Sequence, residues 1–162
     1  MERKQITSKE FFNGLSIVFY AMIIGLVFFA MVSFYLQQNN FGKTEMNIFK
    51  YIVPIFIYGA FRGGSILFKK QVNNAIPKTD LLEKLILYRS ALIVKYALLE
   101  GAAFFAIVAY LLTGEVLHLA LAGISILAFL FSIPSIAKTE NDLELNQDER
   151  QKINNPETVL SV

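Results

Sequence analysis

Arg62, Lys95 and Glu100 are ionisable side chains inside long apolar runs, where a charge is costly enough to need a physical reason. Arg62 stands within Gly59-Ala60-Phe61-Arg62-Gly63-Gly64 and Glu100 precedes Gly101-Ala102-Ala103, so small residues beside both favour close helix approach. A guanidinium and a carboxylate that meet in such surroundings form either a clasp that fixes helix register or, if the carboxylate titrates, a relay for a proton or cation. At 1.5 Å rise per residue Arg62 lies about 9 Å in from Phe68, and Glu100 about 12 Å in from Leu92, nearly the same layer. Helical side chains lean toward the N-terminus of their own helix, so on antiparallel neighbours these two lean toward each other. The expectation is a buried Arg62–Glu100 ion pair, with Tyr20, Tyr58 and Tyr96 as candidate hydrogen-bond partners. Lys95, about 5 Å deep, has a stem long enough to reach the boundary and reads as a snorkelling anchor.

Little other chemistry is on offer. The 162-residue chain has no Cys and one His, which excludes a disulfide scaffold, a cysteine metal site and a thiol nucleophile. No His cluster, paired carboxylates or activated Ser is visible, so no catalytic residues, cofactor-binding set or metal site is expected, and the chain reads as a non-enzyme. Fifteen basic and thirteen acidic residues leave a net charge of +2, which gives no electrostatic case for nucleic acid. With 55% apolar and 17% charged residues, the chain is too apolar for an ordinary soluble domain. A lipid bilayer is the implied partner.

The elements that must carry these side chains follow from length. About 20 apolar residues cross a hydrocarbon core of about 30 Å, and four such stretches are present, at about 15–36, 48–68, 91–112 and 116–137. In lipid each span must satisfy its own backbone, so the fold class is all-α: a polytopic four-transmembrane-helix bundle over residues 1–137. The first run is too long for a signal-peptide core and lacks a cleavage site, so it reads as a retained helix, with Thr7 and Glu10 at capping-box spacing. Asp80 and Glu83 have N-cap and N3 spacing, which predicts that the third helix starts near Leu81. Its first turns, with Leu81, Leu82, Leu85 and Tyr88, are then expected in the membrane interface. Pro54 and Pro134 should each kink or terminate a helix. His118, at the end of the fourth span, is given no role.

Orientation follows the basic residues. Arg3, Lys4, Lys9, Lys69, Lys70, Lys78, Lys84, Arg89, Lys138, Arg150 and Lys152 fall on one side, against Lys43 and Lys50 on the other, which predicts that both termini are cytoplasmic. The outer loops, Gln37 to Asn47 and Thr113-Gly114-Glu115, are short. Tyr35, Tyr51 and Tyr110 then gather at the outer boundary as interfacial aromatics. From Lys138 onward the composition turns polar and acidic, so residues 138–162 read as a cytoplasmic acidic tail. Asn146 and Glu149 could cap a short helix before Pro156. The plain expectation is a solvated tail, the alternative one docked through Leu143, Leu145 and Ile153.

Tyr88-Arg89-Ser90-Ala91-Leu92-Ile93, Tyr96-Ala97-Leu98-Leu99-Glu100-Gly101, the fourth span and Asp142-Leu143-Glu144-Leu145 together resemble a group of small uncharacterised four-span bacterial membrane proteins. That resemblance covers most of the chain and implies a bacterial inner membrane. The functional expectation is a small non-catalytic integral membrane protein acting through membrane-protein partners or as a homo-oligomer. The alternative is a small oligomeric proton- or cation-coupled transporter or channel that uses Glu100.

Overall fold

The computed structural model describes residues 6–39 and 47–160; Arg3, Lys4 and Lys43, used above for orientation, lie outside them. Its helices are α1 (Ser8–Gln38), α2 (Phe49–Ala75), α3 (Leu81–Thr113), α4 (Val116–Leu130), α5 (Ile136–Asp142) and α6 (Gln147–Asn154). Two short strands, β1 (Ile6–Thr7) and β2 (Val159–Leu160), pair antiparallel and bring the two ends of the described chain together. The fold is all-α, and α1, α2 and α3 are long and apolar enough to cross a membrane. At 31, 27 and 33 residues they measure about 47, 41 and 50 Å, more than the hydrocarbon core requires.

The helix starts are written in the sequence. Thr7 and Glu10 form a reciprocal capping box at α1, and the Asp80 side chain accepts from the Glu83 N–H at the start of α3. α3 ends at Gly114, whose φ of 70° is the left-handed conformation that glycine adopts without strain, and whose N–H bonds the Tyr110 carbonyl. That turn folds α4 back along α3. α3 is the central element: it packs most extensively on α2, then on α4 and α1. Between α1, α3 and α4 the rings of Phe19, Tyr96 and Phe129 meet at centroid distances of 5.2 to 5.4 Å, all fully buried.

The fourth apolar stretch departs from expectation. Instead of a span to residue 137, α4 is 15 residues long, about 22 Å, and stops at Leu130. The cause is Pro134. It has no N–H to give the carbonyl four residues back, which is Leu130, and its ring would collide with that carbonyl. Pro54 acts differently, since α2 continues through it.

Residues after 137 also depart from the solvated tail. Leu143, Leu145 and Ile153 are buried in the same apolar cluster as Leu81, Leu82, Leu85 and Tyr88, so the first turns of α3 are covered by protein. Asn146 and Glu149 form the second capping box and start α6. Polar contacts fix the docking: Lys84 Nζ to Glu149 Oε1 at 2.7 Å, the Tyr88 hydroxyl donating to Asp142 at 2.9 Å, and the Ser8 hydroxyl donating to the Ile153 carbonyl at 2.6 Å. The Ser8 and Lys9 N–H groups donate to the carbonyls of Thr158 and Pro156.

At the opposite end, Lys50 and Glu115 pair at 2.9 Å and the Gln37 amide donates to the Leu111 carbonyl, so the ends of all four long elements are tied at one level. Tyr35 and Tyr51 are exposed at this end. Tyr110 is buried inside the bundle, since it lies on the face of α3 that packs inward with Ala103, Ala106 and Ile107.

Candidate functional site

The structure does not bring Arg62 and Glu100 together. Arg62 is exposed, Glu100 is partly buried, and neither takes part in an ion pair or side-chain hydrogen bond among the described residues. The reason is direction around the helix. α2 approaches α3 at Gly64, where an added Cβ would lie 3.7 Å from Leu98 Cδ1. Arg62 is two residues from Gly64 and Glu100 two residues from Leu98. At about 100° per residue, each points about 200° away from the contact. The shared layer is correct, since Gly64 and Leu98 meet, but Arg62 faces out of the bundle.

The three candidate tyrosine partners separate accordingly. Tyr20 and Tyr58 are exposed, at 48% and 67%, and bond neither charge. Tyr96 is fully buried, and its hydroxyl donates to the Ser132 carbonyl at 2.8 Å.

That bond belongs to the helix stop. Ending α4 before Pro134 strands a row of carbonyls, and a row of side chains collects them. Lys138 Nζ donates to the Phe131 carbonyl at 2.9 Å and the Ile133 carbonyl at 3.0 Å, while Tyr96 takes Ser132 between them. A lysine ammonium at the carbonyl end of a helix also complements the negative end of its dipole. Ser135 then caps α5, its side chain accepting from the Lys138 N–H.

Beside this stop, at the terminal end of the bundle, charged side chains line two adjoining cavities. One cavity of about 370 Å3 is lined by Ser65, Phe68, Lys69, Val72, Asn73, Lys95 and Asp142. A second of about 290 Å3 runs under the helix stop and shares Phe68, Lys95 and Asp142 with the first. Lys95 stands between them, its Nζ 5.0 Å from the centroid of the Phe68 ring, a cation–π placement. Its stem lies against α2 beside Gly64, and its head, expected to snorkel to the boundary, is set in a protein cavity over an aromatic face. Phe68 in turn packs edge-on against Tyr88 at 5.7 Å, and Tyr88 holds Asp142. Lys69, Lys95 and Lys138 thus line the two cavities together with one carboxylate, Asp142, which already accepts a hydrogen bond and pairs with none of them.

The sequence reading did not find this cluster, because Lys69, Lys95 and Lys138 come from three elements, and Lys138 reaches the α2–α3 pair only through the break at Pro134. It also missed His118, which is fully buried. His118 Nδ1 lies 3.1 Å from Thr113 Oγ1. The Thr113 hydroxyl proton already goes to the Ala109 carbonyl, so Nδ1 carries the imidazole proton and donates. Their spacing across Gly114 is the local signal that could have placed His118 inside.

Comparison with protein-family models, with curated proteins and with solved structures finds no match for this chain.

Proposed function

We propose that the chain is a small, non-catalytic, multi-pass protein of a bacterial inner membrane. It crosses four times with both termini cytoplasmic and acts as a small oligomer or with a membrane-protein partner. The fourth crossing is α4 plus residues 131–135: about 22 Å of helix and up to about 17 Å of further chain, antiparallel to α3. Residues 138–160 then form a polar cap on the cytoplasmic side.

The observation that carries the proposal is the direction of Arg62. A guanidinium turned toward lipid about 9 Å inside a span costs several kcal/mol unless something accepts its hydrogen bonds. Gly59 and Gly63 flank it with open space at the position of a Cβ, so a helix from another molecule can approach closely on that face. In this reading the fourfold bundle is one unit of an assembly, and Arg62 is the polar contact of its interface.

The test is oligomeric state in nanodiscs by native mass spectrometry, together with cross-linking in intact membranes through a cysteine introduced at Gly59. The expected result is a defined assembly that Arg62→Ala dissociates. A monomer in nanodiscs with no cross-linked product in membranes refutes it. Reporter fusions at both ends check the four crossings, and an external signal from either refutes them.

A second reading is favoured by Glu100, a partly buried carboxylate with no partner among the described residues. It suits a proton- or cation-coupled transporter or channel built from several copies. Loss of a pH-dependent flux in liposomes on Glu100→Gln, with folding intact, is its signature.

A further inference from the structure

We propose that the paired cavities beside the α4 stop bind the phosphate-bearing headgroup of an anionic phospholipid. Lys95 is the central ligand, and Lys69 and Lys138 are the flanking ones.

Charge comes first. The linings contain Lys69, Lys95 and Lys138 against Asp142 alone, and none of these lysines is within ion-pair distance of an acid among the described residues. Lys95 is half-buried, and its compensation is the face of Phe68. A ring face leaves the ammonium's N–H donors free for an anion on its other side. Lys138 spends two donors on the Phe131 and Ile133 carbonyls, which fixes its Nζ in place and leaves a third. Asp142 is held by the Tyr88 hydroxyl, which occupies part of its acceptor capacity.

Position selects the source of the phosphate. Lys95 lies about one helical turn inside the boundary of its span, so its stem carries the ammonium back toward the headgroup level and not out into bulk water. The rim of the second cavity carries Phe131, 83% exposed, and Ile133, with Leu130 also exposed beside them. An apolar rim next to a basic cavity matches a molecule with a charged head and acyl chains. Inorganic phosphate or a soluble nucleotide would have no use for it. Basic cavities between membrane helices are a recurrent way of holding anionic headgroups. The site is independent of the Arg62 face, so its failure and the failure of the assembly reading are separable.

The test uses the full chain in nanodiscs of phosphatidylcholine with and without phosphatidylglycerol, read by native mass spectrometry as lipid retained after release. The parent is expected to retain phosphatidylglycerol about tenfold over phosphatidylcholine. Lys95→Gln and Lys69→Gln should each cut that preference about fivefold, one lysine's share of the attraction. Lys70→Gln, a neighbouring exposed lysine outside both linings, should leave it unchanged. Lys69→Gln keeps the test valid if Lys95→Gln fails to fold. No preference in the parent, or an equal fall with Lys70→Gln, overturns the proposal. Stabilisation by inorganic phosphate in pure phosphatidylcholine, equal to that by phosphatidylglycerol, overturns the lipid and leaves a soluble anion as the ligand.

Discussion

Lys84→Met should release the C-terminal cap from the bundle. Lys84 and Glu149 meet at 2.7 Å with side chains only 9% and 10% exposed, so solvent screens the pair little. Methionine keeps the apolar stem and removes the ammonium, leaving the buried Glu149 carboxylate with the Asn146 N–H as its one remaining partner. Removing one partner of such a pair costs about 3–5 kcal/mol, and the slight exposure argues for the lower end. At 1.4 kcal/mol per factor of ten, about 3 kcal/mol is a hundredfold rise in the open population, up to the limit at which the cap is fully released. The converse change is milder. In Glu149→Gln the uncompensated lysine can swing its head toward water, and glutamine still closes the capping box through the Asn146 N–H, so about 1–2 kcal/mol is lost. The double variant leaves no bare charge and should return to within about 1 kcal/mol of the parent. Hydrogen exchange of the amides of residues 147–154, read by mass spectrometry in nanodiscs, measures this opening directly. If Lys84→Met exchanges within threefold of the parent, or the double variant opens as readily as Lys84→Met, the pair does not hold the cap.

Tyr96→Phe leaves the part-buried Ser132 carbonyl without its donor and should lower stability by about 1–2 kcal/mol, seen as an earlier thermal transition in detergent. Gly114→Ala must adopt φ near 70° and should lose about 1 kcal/mol in the same assay, while Gly114→Asn loses less. Gly64→Ala meets Leu98 at ordinary contact distance and should be neutral or stabilising, whereas Gly64→Leu wedges α2 from α3 and should cost about 1–3 kcal/mol. Arg62→Ala should leave the melting of the isolated monomer unchanged, because the side chain touches no partner within it.

What the sequence made legible is what short-range chemistry decides. Thr7 with Glu10, Asp80 with Glu83 and Asn146 with Glu149 start their helices because a side-chain oxygen three residues from an unpaired N–H is a local arrangement. The stop of α4 was also present, in the four-residue reach of Pro134, but hydropathy continuing to Ala137 hid it. The docked cap was not legible as more than an alternative. Its polarity is that of a solvated tail, and the decision rests on Lys84, Tyr88 and Ser8, each supplying one long-range contact that no spacing rule encodes.

The failure of the Arg62–Glu100 pair is of a different kind, and it sharpens the functional argument. Depth in a span follows from counting residues at 1.5 Å each, whereas direction follows from residue number modulo 3.6, and an error of two residues reverses it. The same count could have been applied to the small residues. Ala60 and Gly64 lie on the face of α2 that is buried, and Arg62, midway between them, is necessarily on the opposite side. Gly59 and Gly63 have open space where a Cβ would sit, so their spacing beside Arg62 is not the contact with α3, and in the proposed assembly it is the surface offered to another helix. A charge used inside the bundle would have left the single chain self-sufficient in lipid. Turned outward in the same layer, it has no acceptor within the described residues, and that is the ground on which we propose an assembly.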